Sequence, residues 1–133
     1  MQKCGKIRTK IMIVFTRLLI ASAFAFALVT QTMAKESLEQ TIDYLLHHVE
    51  TSKVTFIRNG KEHTPAEAVS HIKAKYDHFK EEIKTPEDFI RQSASKSLLT
   101  GKPYLVRTPD GKEMHLDAWL TEALKAHRAQ TPQ

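Results

Sequence analysis

Ser93-Ala94-Ser95-Lys96 has the spacing S-x-x-K, in which a lysine one helical turn beyond a serine can lower the barrier to deprotonating its hydroxyl. The companion K-T-G and S-D-N elements are missing, and 133 residues are far too few for the fold that uses them. Serines near a helix end ordinarily act as caps or solvated surface. A small hydrolase using Ser93 or Ser95 is therefore the alternative reading of this chain, and a non-catalytic binding module is the leading one. Thr100-Gly101-Lys102 has the closing residues of a phosphate loop, but Lys96 stands where the first glycine belongs and Pro103 where Ser or Thr belongs. That segment also runs from helix to strand, the wrong order for a phosphate loop.

The seven histidines raise metal chemistry. His71 and His78 lie seven apart, about 10 Å along one helix, with Lys75 between them on that face. His47 and His48 are adjacent and point about 100° apart. No H-x₃-H spacing occurs, so neither metal nor cofactor is expected. Tyr44, Tyr76, Tyr104 and Trp119 fit a carbohydrate-stacking set less well than amphipathic core residues.

The polar groups best placed for recognition are Arg58, Asn59, Ser95, Lys96, Ser97, Thr100, Lys102 and Tyr104. They sit at a tight turn and at a helix end, segments that interrupt the apolar stripes, and they are expected to converge on one side. The charged members are all positive, which implies an acidic protein, peptide or envelope component as partner. Arg58 has a planar fork suited to carboxylate or phosphate. An internal salt bridge from it to the second or third helix is the more ordinary role.

A net charge of +5 and a pI of 9.4 would suit nucleic acid. However, Lys3, Lys6, Arg8, Lys10 and Arg17 all precede residue 35, where no acid occurs. Setting those five aside leaves 15 Lys+Arg against 15 Asp+Glu, so the rest of the chain lacks a basic footprint and no nucleic-acid partner is expected. Residues 1–34 read as a cleavable signal peptide, with a basic start, the apolar run Leu18–Val29 and a small-x-small site at Thr32-Met33-Ala34. Arg17 inside the longer apolar run opposes an uncleaved anchor, so no stable membrane span is expected after cleavage. Cys4 precedes the apolar run, which leaves the mature chain without a thiol.

The remaining residues must position the polar groups. Ser37–Gln40, Thr64–Glu67 and Thr85–Asp88 each have the form of a helix start, two of them with proline at the first helical position. Apolar periodicity predicts helices near 38–51 and 65–83, a third from Pro86 carrying Phe89, Ile90, Ala94 and Leu98, and a fourth from about Leu116, capped by Asp117 or a residue just before it. Asn59-Gly60 marks a turn or short hairpin, and Tyr104–His115 a small hairpin around Thr108–Gly111. The fold class is α+β and mainly helical, with a single domain over 35–128 and a frayed tail at 129–133. The hairpins are expected to pack on the helices and not to merge into a sheet of four strands. The predicted core comprises Leu38, Ile42, Leu45, Val69, Ile72, Tyr76, Phe79, Phe89, Ile90, Leu105, Trp119, Leu120 and Leu124.

The spaced set FIRNG (56–60), HTPAEAVSHI (63–72), TPEDFI (85–90), SKS (95–97) and TGKPYLV (100–106) resembles the YfeK-like family of small exported Gram-negative proteins, built around a domain of unknown function. The resemblance spans roughly 38–124. It implies a periplasmic location and no particular activity. Some members carry a cysteine near the Arg-Asn-Gly segment, and its absence here argues against a thiol-dependent role.

Overall fold

The computed structural model describes residues 36–131. The proposed signal peptide and the last tail residues lie outside that span. In chain order the elements are α1 (Leu38–Glu50), β1 (Thr55–Arg58), β2 (Lys61–His63), α2 (Pro65–Phe79), a 3-10 turn (Lys80–Glu82), α3 (Pro86–Ser93), β3 (Leu105–Arg107), β4 (Glu113–His115) and α4 (Leu116–Gln130). The class is α+β and mainly helical.

Three helices begin at the expected caps. Ser37, Thr64 and Thr85 each accept from the amide three residues on, and Gln40, Glu67 and Asp88 accept from the cap's own amide in return. Such a cap contributes about 1 kcal/mol. The fourth helix starts differently. Its N-cap, His115, makes no side-chain capping bond, and the amide of Leu116 donates instead to the carbonyl of Tyr104 at 2.9 Å. Among the described residues the Asp117 carboxylate accepts only from the neighbouring amide of Ala118.

Asn59 and Gly60 both take positive φ, 52° and 79°. A two-residue turn with both central residues in that region matches the twist of the strands it joins, and β1 and β2 pair in register with Arg58 opposite Lys61. The second hairpin, β3–β4, also forms. The two hairpins do not stay separate as the sequence predicted. β1 also pairs antiparallel with β3, giving one four-stranded sheet in the order β2-β1-β3-β4. An isolated hairpin is marginal in water, and its open edges leave backbone groups unpaired. Joining the pairs places Phe56 opposite Val106, and both are buried against the helices.

Strand parity also corrects the core. Val106 is fully buried while Leu105, one residue before it on the opposite face, is half-exposed. The core is built from Ile42, Leu45, Val49, Phe56, Ile72, Ile83, Phe89, Ile90, Val106, Leu116, Leu120 and Leu124. Leu38, Val69, Tyr76, Phe79 and Trp119 pack around it half-buried. The ring of Tyr76 meets Phe89 edge-on at 5.6 Å. No described helix is long and apolar enough to cross a membrane.

The third helix is shorter than its pattern suggested. It stops at Ser93, and Leu98, expected on its buried face, is 63% exposed. From Ser95 the backbone pairs across a closed loop, with Tyr104 N–H donating to Ser95 C=O at 3.0 Å and Ser97 N–H to Lys102 C=O at 2.9 Å. Serine side chains compete for backbone groups, and the hydroxyl of Ser95 donates to the Arg91 carbonyl at 2.6 Å.

Phe89 has no exposed surface, whereas Phe79 is half-buried. Phe89→Ala should cost about 3–5 kcal/mol, the usual range for emptying a closed core site. Phe79→Ala should cost clearly less, because part of the vacated volume is open to water. Urea midpoints of the two variants measure the difference.

Candidate functional site

Period-two alternation in a strand sends every second side chain to the same face. Phe56 faces the helices, so Arg58, two residues on, is carried to that side as well. Tyr104 stands in the same relation to buried Val106. Both polar residues therefore meet α2, where His71 lies one helical turn before Lys75. Arg58 Nη1 is 2.6 Å from His71 Nδ1, and His71 Nε2 is 2.9 Å from the Tyr104 hydroxyl. Arg58 ties the first turn to α2 as expected, but through a neutral imidazole and not through a salt bridge.

The direction of this chain follows from donor chemistry. Guanidinium can only donate, so His71 Nδ1 must accept. The imidazole is then the neutral tautomer with its proton on Nε2, which donates to the Tyr104 oxygen. The Tyr104 proton therefore points elsewhere, and no acceptor for it occurs among the described residues. Burial, followed by the charges of Arg58, Lys75 and His63, lowers His71 to about 4, in accord with that tautomer. Burial raises the Tyr104 phenol, so it stays a donor.

Lys75, only 6% exposed, extends the cluster. Its ammonium donates to the Lys96 carbonyl at 2.8 Å and sits 5.1 Å from the centre of the Tyr104 ring. Burial and then the charge of Lys96 lower its pKa. Neither His71 nor Lys75 was among the predicted site residues. The signal for them was a polar i, i+4 pair bordering the apolar stripe of α2.

Asn59, Ser97 and Thr100 are brought together. The Thr100 hydroxyl donates to Asn59 Oδ1 at 2.6 Å, and Asn59 Nδ2 reaches Ser97 Oγ at 3.5 Å. The β1–β2 turn thus clasps the loop that follows α3. Lys96 and Lys102 are exposed on that loop, with Leu98 63% and Leu99 95% exposed between them. The predicted set accordingly divides in two. Arg58 and Tyr104 turn inward to α2, while Asn59, Ser97 and Thr100 build the clasp that carries Lys96 and Lys102. Ser95 is spent on the end of α3.

The serine–lysine pair does not assemble. Ser93 is completely buried, and its hydroxyl has no hydrogen-bond partner among the described residues. Lys96 lies beyond the helix, in a bridge opposite Pro103. No group of three or more His, Cys, Asp or Glu among the described residues is arranged to hold a metal.

Beside Arg58, His71 and Tyr104 a cavity of about 30 Å³ opens between the sheet and α2. Phe56, Ala68 and Ile72 are among its apolar walls, and His63 and Glu67 complete its polar lining. His63 Nε2 is buried there without a partner among the described residues.

Because His71 holds its proton less tightly folded than unfolded, its contribution to stability is fully present above pH 6.5. It declines as pH falls from 6.5 towards about 4 and is lost below that. His48, also lowered by burial, adds a slope of the same sign. The comparison that isolates His71 is therefore with His71→Gln, whose amide can accept from Arg58 and donate to Tyr104 in the same order. Urea midpoints followed from about pH 7 down to about pH 4 should fall less steeply in the variant.

Residues 36–128 match a family described as a family of unknown function, DUF5329. The protein named uncharacterized protein YfeK, from Salmonella typhimurium strain LT2, is 43% identical over 67 residues, which cover 50% of this chain and 56% of that relative. The chain thus spans little more than half the length of the curated relative it matches. No solved structure matches it. The family match takes in every residue of the Arg58–His71–Tyr104 chain and of the Asn59 clasp. The protein belongs to the DUF5329 family of unknown function and is YfeK-like, as its spaced segments implied.

Proposed function

We propose that this protein is exported to the periplasm by a cleaved signal peptide and acts there as a non-catalytic module that binds an acidic protein, peptide or envelope component. The observation that carries the reading is the clasped loop after α3. Asn59 holds it through Ser97 and Thr100, while Leu98 and Leu99 stand in solvent between Lys96 and Lys102. Large aliphatic side chains on a loop fixed at both ends contribute nothing to the core. Held in place before a partner arrives, they lose little conformational entropy on binding. The flanking lysines favour a partner with carboxylates around an apolar contact.

Export is supported by the basic start, apolar run and small-x-small site of residues 1–34. The hydrolase alternative has no such support, since Ser93 is sealed in the core and the Ser95 hydroxyl is committed to a carbonyl.

Protein recovered from the periplasm should have an intact mass beginning at Lys35. Full-length chain in the membrane fraction would contradict the export reading. Cross-linking in periplasmic extract should give adducts that disappear in Leu98→Ser/Leu99→Ser and weaken in Lys96→Ala/Lys102→Ala, with unfolding midpoints unchanged. Identical adducts in both variants would show that the loop is ordinary surface.

A further inference from the structure

We propose that the cavity between β1 and α2 is a binding site for a carboxylate group, with the Tyr104 hydroxyl and the Arg58 guanidinium as its donors. Three observations converge on it. First, the forced order of the Arg58–His71–Tyr104 chain leaves the Tyr104 proton without an acceptor among the described residues. Second, Arg58 spends one of its five N–H groups on His71 and is paired with no carboxylate among the described residues. Third, His63 Nε2 is buried at the same cavity with no partner among the described residues. Its other nitrogen is 3.8 Å from Glu67, too far for a hydrogen bond, so the ring is free to place a proton on Nε2. A buried polar atom left unpaired, as at His63 Nε2, is costly, and a ligand that pairs with it removes that cost.

The size of the recess sets the class of ligand. About 30 Å³ admits roughly two water-sized groups, enough for the two oxygens of a carboxylate but not for a sugar or a nucleotide. The remainder of the ligand must stay outside. A planar guanidinium matches a planar carboxylate, and the neutral His71 holds one Arg58 N–H without repelling its charge, which leaves the other N–H groups for a ligand. Glu67 opposes binding by its charge. Its Oε2 is occupied by the amide and hydroxyl of Thr64, so its charge acts at the rim without filling the recess. Lys75, against the ring of Tyr104, offsets it.

The carboxylate can belong to a small organic acid or to the C-terminus of a peptide. The site is independent of the exposed loop, since substitutions at Leu98 and Leu99 leave its donors in place.

The test is an NMR titration of the purified protein, following the side-chain nitrogens of Arg58 and the histidines. The probes are acetate, an N-acetylated tripeptide with a free C-terminus, and the same tripeptide amidated. Saturable shifts with acetate and with the free-acid peptide, but not with the amide, are expected. Preference for acetate over the peptide would assign a small-acid ligand, and the reverse a chain terminus. Either Arg58→Gln or Tyr104→Phe should weaken binding about tenfold or more, the usual loss for a hydrogen bond to a charged group. Glu67→Gln keeps the helix cap, because glutamine also serves at that position, and should tighten binding. That gain guards against variants that merely misfold. No saturable shift with either carboxylate, or equal binding by the amidated peptide, would overturn the proposal, as would a Glu67→Gln protein that binds no better than the parent.

Discussion

Tyr104 is the residue on which the arrangement of this domain depends. Its amide donates to Ser95, its carbonyl accepts the first amide of α4, and its hydroxyl accepts from His71 on α2. A single residue, 4% exposed, therefore fixes the loop after α3 and the start of the last helix through its backbone, and the inner face of the second helix through its side chain. Pro103 just before it has no N–H, so pairing along this segment resumes at Tyr104 itself. β3 follows at Leu105 and pairs with β1, which places the Asn59 turn within reach of Ser97 and Thr100. The sheet, the clasp and the polar chain are consequences of one anchoring point.

Local chemistry was legible wherever a residue's own backbone preference decided the outcome. The three caps, the Asn59-Gly60 turn and the glycine at Gly111, φ 86°, all fall where their residue types demand. What could not be read was parity and partnership. β3 has three residues, Leu105, Val106 and Arg107, too few for alternation to declare which face is buried, and Leu105 was assigned the core position that Val106 holds. The β1–β3 pairing joins segments some fifty residues apart, with no turn between them to announce it. The cap of α4 is a tertiary contact from Tyr104 and has no local signature.

The same distinction explains the helix that ended early. Phe89, Ile90 and Ala94 fit a buried stripe and are buried, and Leu98 continues the spacing. Periodicity alone extends the helix through it. Beyond Ser93, however, serines alternate with Ala94 and Lys96, and their hydroxyls offer the backbone other partners. Asn59, thirty-eight residues from Ser97 in sequence, supplies the contact that makes the closed loop preferable. Leu98 continues the helical spacing in sequence alone, and in the structure it lies in the turn beyond the helix, exposed.

The half-buried polar cluster is the least economical part of the structure. Arg58, Lys75 and the ring of His71 gather with Tyr104 where the sheet meets α2, and the Glu67 carboxylate that lines the same cavity is turned to cap its own helix. A site serving stability alone would be expected to hold an acid between two such cations, because uncompensated charge near a core is unfavourable. The protein instead removes one charge, by keeping His71 neutral, and spends the Lys75 ammonium on a backbone carbonyl. Those two adjustments make the cluster tolerable without giving Arg58 a carboxylate partner among the described residues. A charge held by strand parity on the inward face, relieved on one side only, is a local conflict of the kind that folded domains retain at sites of function.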